Sequence, residues 1–167
     1  MQNRPKIKPE LSVLDKLMEI VGWIALAMLW ALLLSDYNKL PDTIPTHFSA
    51  EGKVDAFGNK NTILILPVIA TIVFVGMTVL NLFPQIFNYP VKITEENAFK
   101  QYIKATRIIR YLKFIIVVIF GFIMFKTMQI AIGKSSELGS WFTIAMLVLI
   151  FAPLLHYLIQ SFLERKR

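Results

Sequence analysis

The side chains best able to do chemistry lie in one polar stretch, residues 37–60, between two long apolar runs. It contains the imidazole of His47 and the carboxylates of Asp42, Glu51 and Asp55. Imidazole and carboxylate groups bind zinc and calcium, so a metal-binding membrane enzyme using His47, Asp42 and Asp55 is one hypothesis. The stretch lacks an H-E-x-x-H pattern and a serine or cysteine nucleophile beside a basic partner. We therefore expect no metal, cofactor or catalytic residue there, and the metal-binding enzyme is the alternative.

A structural role also accounts for this stretch. Pro41 and Pro45 fix their own φ angles and favour extended backbone at the residues before them, so no helix can continue here. A short extended piece at 46–48, a turn at 50–52 and a returning piece at 53–57 follow from the turn-forming residues. The pattern predicts a compact cap at residues 35–61.

Several contacts are expected within this cap. We expect Asp42 to accept hydrogen bonds from backbone amides of its own turn, and His47 and Asp55 to face each other. Lys60, immediately before the second apolar run, is expected to anchor at the membrane interface or to pair with Asp55 or Glu51. These contacts would make the polar residues a scaffold.

Two glycines and two phenylalanines complete the cap. Gly52 and Gly58 are expected to supply turns with positive φ. Phe48 and Phe57 are expected to be exposed, which would suit recognition of a peptide, a lipid or a partner at the membrane surface.

The composition predicts a membrane protein. Hydrophobic residues make up 56% of the 167-residue chain and charged residues only 17%. Four apolar runs, at 17–34, 63–83, 114–132 and 141–163, are long enough to cross a bilayer as helices. The first run is too long for a cleaved signal peptide and is expected to be retained. The chain has no cysteine, which excludes disulfides and thiolate metal sites.

A second polar segment, 88–113, precedes the third run. Thr94 with Glu95 and Glu96 predicts a helix start, after which apolar residues recur at helical spacing. Basic residues interleave with them at Lys100, Lys104, Arg107 and Arg110. This pattern predicts a basic amphipathic helix that contacts anionic lipid headgroups or a soluble partner, either on the membrane surface or continuous with the third span. The net charge of +7 is explained by such contacts, and no direct nucleic-acid binding is expected.

A few polar residues fall within or beside the spans. We expect Asn81 to hydrogen-bond across a helix interface, Lys126 to extend its amine toward the interface, and His156 to bond a neighbouring helix or a backbone carbonyl. Beyond Glu19 and Lys126, no buried charge is expected that could relay ions. A small transporter is therefore the less favoured alternative.

The distribution of lysine and arginine predicts the orientation. The N-terminal, middle and C-terminal polar segments hold 13 of these residues, and the two segments on the other side hold Lys39, Lys53, Lys60 and Lys134. The positive-inside rule then places both termini in the cytoplasm and the cap outside.

The cap also carries a recognisable pattern, L-P-D-x-I-P-x-H-F-x-x-x-G-x-x-D-x-x-G-x-K, from Leu40 to Lys60. It resembles a bacterial membrane-protein family that includes the SdpI-type immunity proteins. The resemblance implies residence in the bacterial cytoplasmic membrane and a receptor that senses a secreted toxic peptide outside and sequesters a transcriptional regulator inside. It implies a sensing or ligand-binding role for the cap, whose motif residues include Pro41, Asp42, Pro45, His47, Phe48, Gly52, Asp55, Gly58 and Lys60.

Taken together, the sequence predicts an all-α fold, a single four-span transmembrane bundle with a small outer cap and a cytoplasmic basic amphipathic helix. The leading functional hypothesis is an integral membrane protein of the immunity or receptor type. Its expected partners are the lipid bilayer with anionic headgroups, a secreted peptide or envelope ligand outside, and a soluble regulator inside.

Overall fold

The computed structural model describes residues 4–165, which form four long helices and one β-hairpin. The helices are α1 (Val13–Asp36), α2 (Ile65–Leu80), α3 (Glu95–Ala131) and α4 (Trp141–Arg165). Within residues 4–165, four helical segments are long and apolar enough to cross a membrane. The predicted four-span helical membrane architecture is confirmed. Lys166 and Arg167, counted in the charge distribution, lie outside the described residues.

α1 begins earlier than the apolar run at Leu17. Ser12 caps the helix, with its Oγ accepting a hydrogen bond from the Asp15 amide at 3.2 Å. Asp15 Oδ2 in turn accepts from the Ser12 amide at 3.1 Å, which completes a reciprocal capping box. Polar residues therefore form the first turn of α1, and Asp15 is placed where α1 meets the rest of the bundle.

α3 is one continuous helix from the basic segment through the third apolar run. Thr94 caps it, as predicted: its Oγ1 accepts a hydrogen bond from the Asn97 amide at 3.4 Å, and its own amide donates to Asn97 Oδ1 at 2.9 Å. Its 37 residues correspond to about 55 Å, well beyond the roughly 30 Å of a bilayer core. The basic segment therefore continues the span and does not form a separate surface helix.

α2 is shorter than its apolar run. A 3₁₀ helix, Lys60–Leu64, precedes it, and the helix ends at Leu80, before the next 3₁₀ turn at Pro84–Ile86. Pro153 lies inside α4 without ending that helix.

The core lies where α1, α2 and α3 meet. Buried residues from each helix pack there, among them Leu29, Phe74 and Met124. α4 packs on the other side of α3, where Phe142 joins Ile119 in a second apolar cluster. Most other α4 side chains are exposed, as expected for a lipid-facing helix.

The cap is an antiparallel β-hairpin of β1 (Thr43–Phe48) and β2 (Val54–Asn59). Its register pairs Ile44 with Gly58 and Pro45 with Phe57, with irregularities on either side of His47. The hairpin follows α1 and precedes α2, so it lies at one end of the bundle. We call this the hairpin end, and the end that holds the start of α1 and the α2–α3 connection the opposite end.

At the opposite end the N-terminal segment lies against the α2–α3 connection. Arg4 Nη1 donates to the carbonyl oxygens of Phe87 at 2.6 Å and Gln85 at 3.2 Å. Tyr89 donates its hydroxyl to the Pro84 carbonyl at 2.9 Å, and burial raises the pKa of this phenol. The segment before α1 is therefore part of the folded structure.

Candidate functional site

The exposed face of the hairpin carries an imidazole–carboxylate pair. His47 Nδ1 lies 2.6 Å from Asp55 Oδ1, and both side chains are largely exposed. The predicted facing of these residues is confirmed. An exposed pair of this kind contributes little to stability. Because both side chains are exposed, the Nε2 edge of the imidazole and the second carboxylate oxygen are accessible to a ligand.

Asp42 and Lys60 close the base of the hairpin. Lys60 Nζ lies 3.1 Å from Asp42 Oδ1, and the Lys60 amide donates to the Asp42 carbonyl at 2.9 Å. The predictions that Asp42 bonds its own turn and that Lys60 pairs with Asp55 or Glu51 are therefore wrong. Since Thr43 pairs with Asn59, the residues just outside that pair lie opposite each other.

The two motif glycines have different roles. Gly52 has φ +78°, as predicted, and a Cβ there would lie 2.8 Å from the Gly139 carbonyl oxygen. Gly58 is not in the positive-φ region, so that prediction is wrong. It lies within β2, where a Cβ would meet Thr46 Cγ2 at 2.9 Å. Gly58 is required for space.

The motif residues divide between a buried support and an exposed face. Pro45 and Gly52 are buried, and Phe48 is half-buried against the α3–α4 cluster, so Phe48 is not the exposed residue that was expected. Pro41 and Phe57 are exposed, Phe57 at 65%. The exposed face therefore consists of Phe57, the His47–Asp55 pair and, at the base of the hairpin, Asp42.

The hairpin presents a pair of candidate ligand groups rather than a triad. Among residues 4–163, whose side chains the structure describes, no group of three His, Cys, Asp or Glu side chains is placed to hold a metal ion. Asp42 is turned to Lys60, and Glu51 accepts a hydrogen bond from Ser49 Oγ at 3.0 Å. The arrangement that the metal-enzyme hypothesis requires is not formed.

A second polar site, near the opposite end, combines five charged side chains from α1 and α3. We call it the charge cluster; its members are Asp15, Glu19, Arg107, Arg110 and Lys113. Arg107 binds Asp15 with Nε at 2.9 Å from Oδ1 and Nη2 at 3.1 Å from Oδ2. This two-point geometry is the strong form of an arginine–carboxylate pair.

Glu19 holds two cations of the charge cluster. Arg110 Nε donates to its Oε1 at 3.1 Å, and Lys113 Nζ donates to its Oε2 at 2.5 Å. Lys113, which is fully buried, also donates to Thr78 Oγ1 at 2.7 Å and lies over the Phe74 ring at 4.5 Å. The cluster thus ties α1, α2 and α3 together.

These contacts correct the predicted basic surface. Arg110 is only 5% exposed and points into the bundle, and Arg107 is bound to Asp15. Lys100 is exposed and Lys104 is half-buried on the preceding turns of α3. The expectation of no buried charge beyond Glu19 and Lys126 is wrong, because Asp15, Arg110 and Lys113 are also buried.

Sequence reasoning missed Asp15, Thr78 and Lys113 as site residues. A usable signal was present: Asp15 and Glu19 are four apart, and Arg107, Arg110 and Lys113 follow at three-residue intervals. Acidic residues on one helix and basic residues on another, both at helical spacing, are typical of an interhelical ion-pair ladder.

The other isolated polar residues have mixed outcomes. Asn81 Nδ2 donates to the Thr106 carbonyl at 3.2 Å, which confirms the predicted interhelical bond. Lys126 Nζ donates to Ser135 Oγ at 2.5 Å and so reaches the connection after α3. His156 is exposed on α4, and the contacts of the described part of the chain include no hydrogen bond to it, contrary to expectation.

Comparison with known proteins gives two matches. Residues 23–71, which cover most of α1, the hairpin and the start of α2, match the family described as "Domain of unknown function (DUF1648)". An Archaeoglobus fulgidus protein with the name "Uncharacterized protein" is 31% identical over 143 residues, covering 78% of each chain. No solved structure matches the chain. The chain therefore belongs to the same family as this archaeal protein, and its match to DUF1648 is centred on the hairpin.

Proposed function

We propose that this membrane protein is a binding protein of the receptor or immunity type, and that the exposed hairpin face recognises a peptide or another envelope ligand. The observation that carries the proposal is a polar hairpin held rigidly on a membrane bundle at both its base and its tip. The resemblance of its motif to that of SdpI-type proteins gives independent support.

The base of the hairpin is part of the bundle core. Leu40, Ile44 and Ile63, which flank or lie within the hairpin, are at most 5% exposed and pack with core residues of the helices. Ile44 is fully buried, so movement of β1 would disturb that core.

The tip of the hairpin is fastened to the α3–α4 connection. The Leu138 amide donates to the Gly52 carbonyl at 2.8 Å, and Lys53 forms a β-bridge with Glu137. Thr143 Oγ1, at the start of α4, donates to the Ala50 carbonyl at 2.8 Å. A face fixed at both ends loses little conformational entropy on binding, which favours recognition.

The chemistry of the exposed face suits a ligand with both apolar and polar groups. Phe57 offers an exposed aromatic ring, and the side chain of Asp42 is 91% exposed at the base. His47 and Asp55 add a hydrogen-bonding pair beside them. An aromatic anchor surrounded by polar groups is a common composition of a protein–peptide interface.

The proposal includes an orientation and an output. The lysine and arginine distribution supports a cytoplasmic location for both termini, which would put the hairpin outside a cytoplasmic membrane. A soluble regulator would then bind at the opposite end, near the beginning of α3 with Lys100 and Lys104. α3 reaches both ends and touches the hairpin, so it is the element through which binding would be transmitted.

The test is complementation of a strain that lacks the gene. Growth is measured against a panel of secreted antimicrobial peptides and envelope stresses, with plasmids encoding wild type, Phe57→Ser, His47→Ala or Lys53→Ala. We expect the deletion to increase sensitivity to at least one peptide. Wild type and Lys53→Ala should restore resistance, whereas Phe57→Ser and His47→Ala should not, at equal membrane levels of each protein. Unchanged sensitivity of the deletion strain to every agent would argue against the proposal.

A further inference from the structure

We propose that a cavity beside the charge cluster is a binding site for an anionic phospholipid, which it holds by the phosphate group. The inference is independent of the hairpin and of the function proposed for it. It rests on the shape and lining of the cavity, the charge balance of the cluster, and the position of both at the opposite end of the bundle.

The cavity has a volume of about 250 Å³ and lies among the start of α1, the end of α2 and the middle of α3. Its polar lining includes Glu19, Asn81 and Arg110, and its apolar lining includes Leu11 and Leu82. Lys8 also lines it and is exposed. One wall of the cavity is therefore charged and another is apolar, which suits an amphipathic ligand.

The charge cluster carries an unbalanced positive charge. Among the side chains that the structure describes, residues 4–163, Arg107, Arg110 and Lys113 face two carboxylates, those of Asp15 and Glu19. An uncompensated charge in a low-dielectric environment is costly, and Lys113 and Arg110 are both more than nine-tenths buried. A singly charged phosphate diester in the adjoining cavity would balance the excess charge of the cluster, and Lys8 at the rim would add to the attraction.

Arg110 has the geometry to bind that anion. Its Nε is committed to Glu19, while Nη1 lies 3.8 Å from Asp15 Oδ1, beyond hydrogen-bond distance. The terminal N–H groups of a guanidinium fit the oxygens of a phosphate, often in a two-point arrangement. Arg110 can therefore bridge Glu19 and a phosphate in the cavity.

The apolar lining distinguishes a lipid from a free phosphate. Leu11 and Leu82 are 39% and 57% exposed, so they extend the apolar wall from the cavity to the surface of the protein. The charge cluster also lies near the ends of the apolar runs, where headgroups would meet acyl chains if these runs cross the bilayer. A phosphate bound to Arg110 would have its acyl chains along these leucines.

Asn81 points to the kind of headgroup. Its Nδ2 donates to the Thr106 carbonyl, which fixes the orientation of the amide, and its buried Oδ1 has no hydrogen-bond partner among the described residues. A buried acceptor without a partner is costly. A headgroup hydroxyl, such as those of phosphatidylglycerol, would supply the missing donor.

The experiment compares two substitutions of one exposed cavity residue. Leu82→Glu places a tethered carboxylate in the cavity, where it would occupy the cationic site, and Leu82→Gln is the neutral control of similar size. Dissociation constants of phosphatidylglycerol and phosphatidylcholine are measured for the purified full-length proteins by native mass spectrometry in detergent. We expect phosphatidylglycerol to bind about tenfold more weakly to Leu82→Glu than to Leu82→Gln. We also expect phosphatidylcholine, which is zwitterionic and has no headgroup hydroxyl, to bind Leu82→Gln more weakly than phosphatidylglycerol does.

Two results would overturn the proposal. The first is equal phosphatidylglycerol affinity in the two variants. The second is displacement of phosphatidylglycerol by inorganic phosphate at a concentration equal to that of the lipid, which would make the site one for a free anion. If Leu82→Glu does not fold, Lys8→Gln and Lys6→Gln form the second pair. Lys8 lines the cavity and Lys6 does not, so only Lys8→Gln should weaken binding, by about threefold, and equal affinities would again refute the proposal.

Discussion

At the scale of single residues, the hairpin depends on one backbone conformation. Gly52 combines φ +78° with a Cβ position 2.8 Å from the Gly139 carbonyl oxygen, so a side chain would add strain and a clash at once. We expect Gly52→Val to lower the free energy of unfolding by about 3 kcal/mol. Lys53→Ala is the control, because the exposed side chain contributes no contact that the fold requires, and its effect should stay within about 0.5 kcal/mol. Chemical denaturation in detergent measures both, and equal effects would show that the turn does not limit stability.

The charge cluster makes its own residue-scale prediction. Glu19 neutralises two cations, so Glu19→Gln should destabilise the protein by about 3–5 kcal/mol by leaving Arg110 and Lys113 without their shared carboxylate. Lys113→Met keeps the length of the side chain and removes the excess positive charge. We expect it to cost less than Glu19→Gln.

A double-mutant cycle checks this ranking. The Glu19→Gln and Lys113→Met changes share a contact, so the double variant should be more stable than the sum of the single effects predicts. Additive effects on the free energy of unfolding would contradict an excess positive charge in the cluster. A larger decrease for Lys113→Met than for Glu19→Gln would contradict it too. Unfolding free energies in detergent at one pH supply all four values.

At the scale of elements, the continuity of α3 can be measured directly. The chain has no cysteine, so cysteines introduced at Phe99 and Phe125, both exposed, would be the only labelling sites. A straight helix separates their backbones by about 39 Å, and a right-angle bend near Lys113 would shorten this to about 28 Å. We expect double electron–electron resonance spectroscopy of the spin-labelled protein in nanodiscs to give the longer distance. The shorter one would mean that the basic segment lies on the membrane surface.

The sequence predicted the individual helices well but not how they pack against each other. The apolar runs and the Thr94 start predicted the helices, since hydrophobic length and capping are local signals. The continuity of α3 was left open because nothing in its sequence near Lys113 specifies a bend or its absence. The pairing of Arg110 with Glu19 could not be predicted from either helix alone, since it depends on how α1 and α3 are rotated against each other.

The hairpin shows the same division. His47 and Asp55 were predicted to meet because turn residues constrain a short hairpin. The partner of Lys60 was missed because the strand register decides it. The pairing of Thr43 with Asn59 places Asp42, just before β1, opposite Lys60. Gly58 was interpreted as a turn residue, although its neighbour Thr46 lies on the other strand.

At the scale of the whole molecule, the orientation is open to a labelling experiment. Single cysteines replace Glu51, exposed on the hairpin, and Glu10, exposed before α1. A membrane-impermeant maleimide should label Glu51→Cys in intact cells, whereas Glu10→Cys should react only after the membrane is opened. The reverse pattern would place the hairpin in the cytoplasm and remove the basis for an extracytoplasmic ligand.

The contact between the hairpin tip and the α3–α4 connection has a consequence for engineering. Gly52 and Lys53 are held by Leu138 and Glu137, residues that follow only after two further helices in the chain. The hairpin is therefore not a portable loop. A chimera that transplants residues 40–60 alone onto a related bundle would lose the contacts between the hairpin tip and the α3–α4 connection. A chimera that also transplants residues 133–143 would retain them.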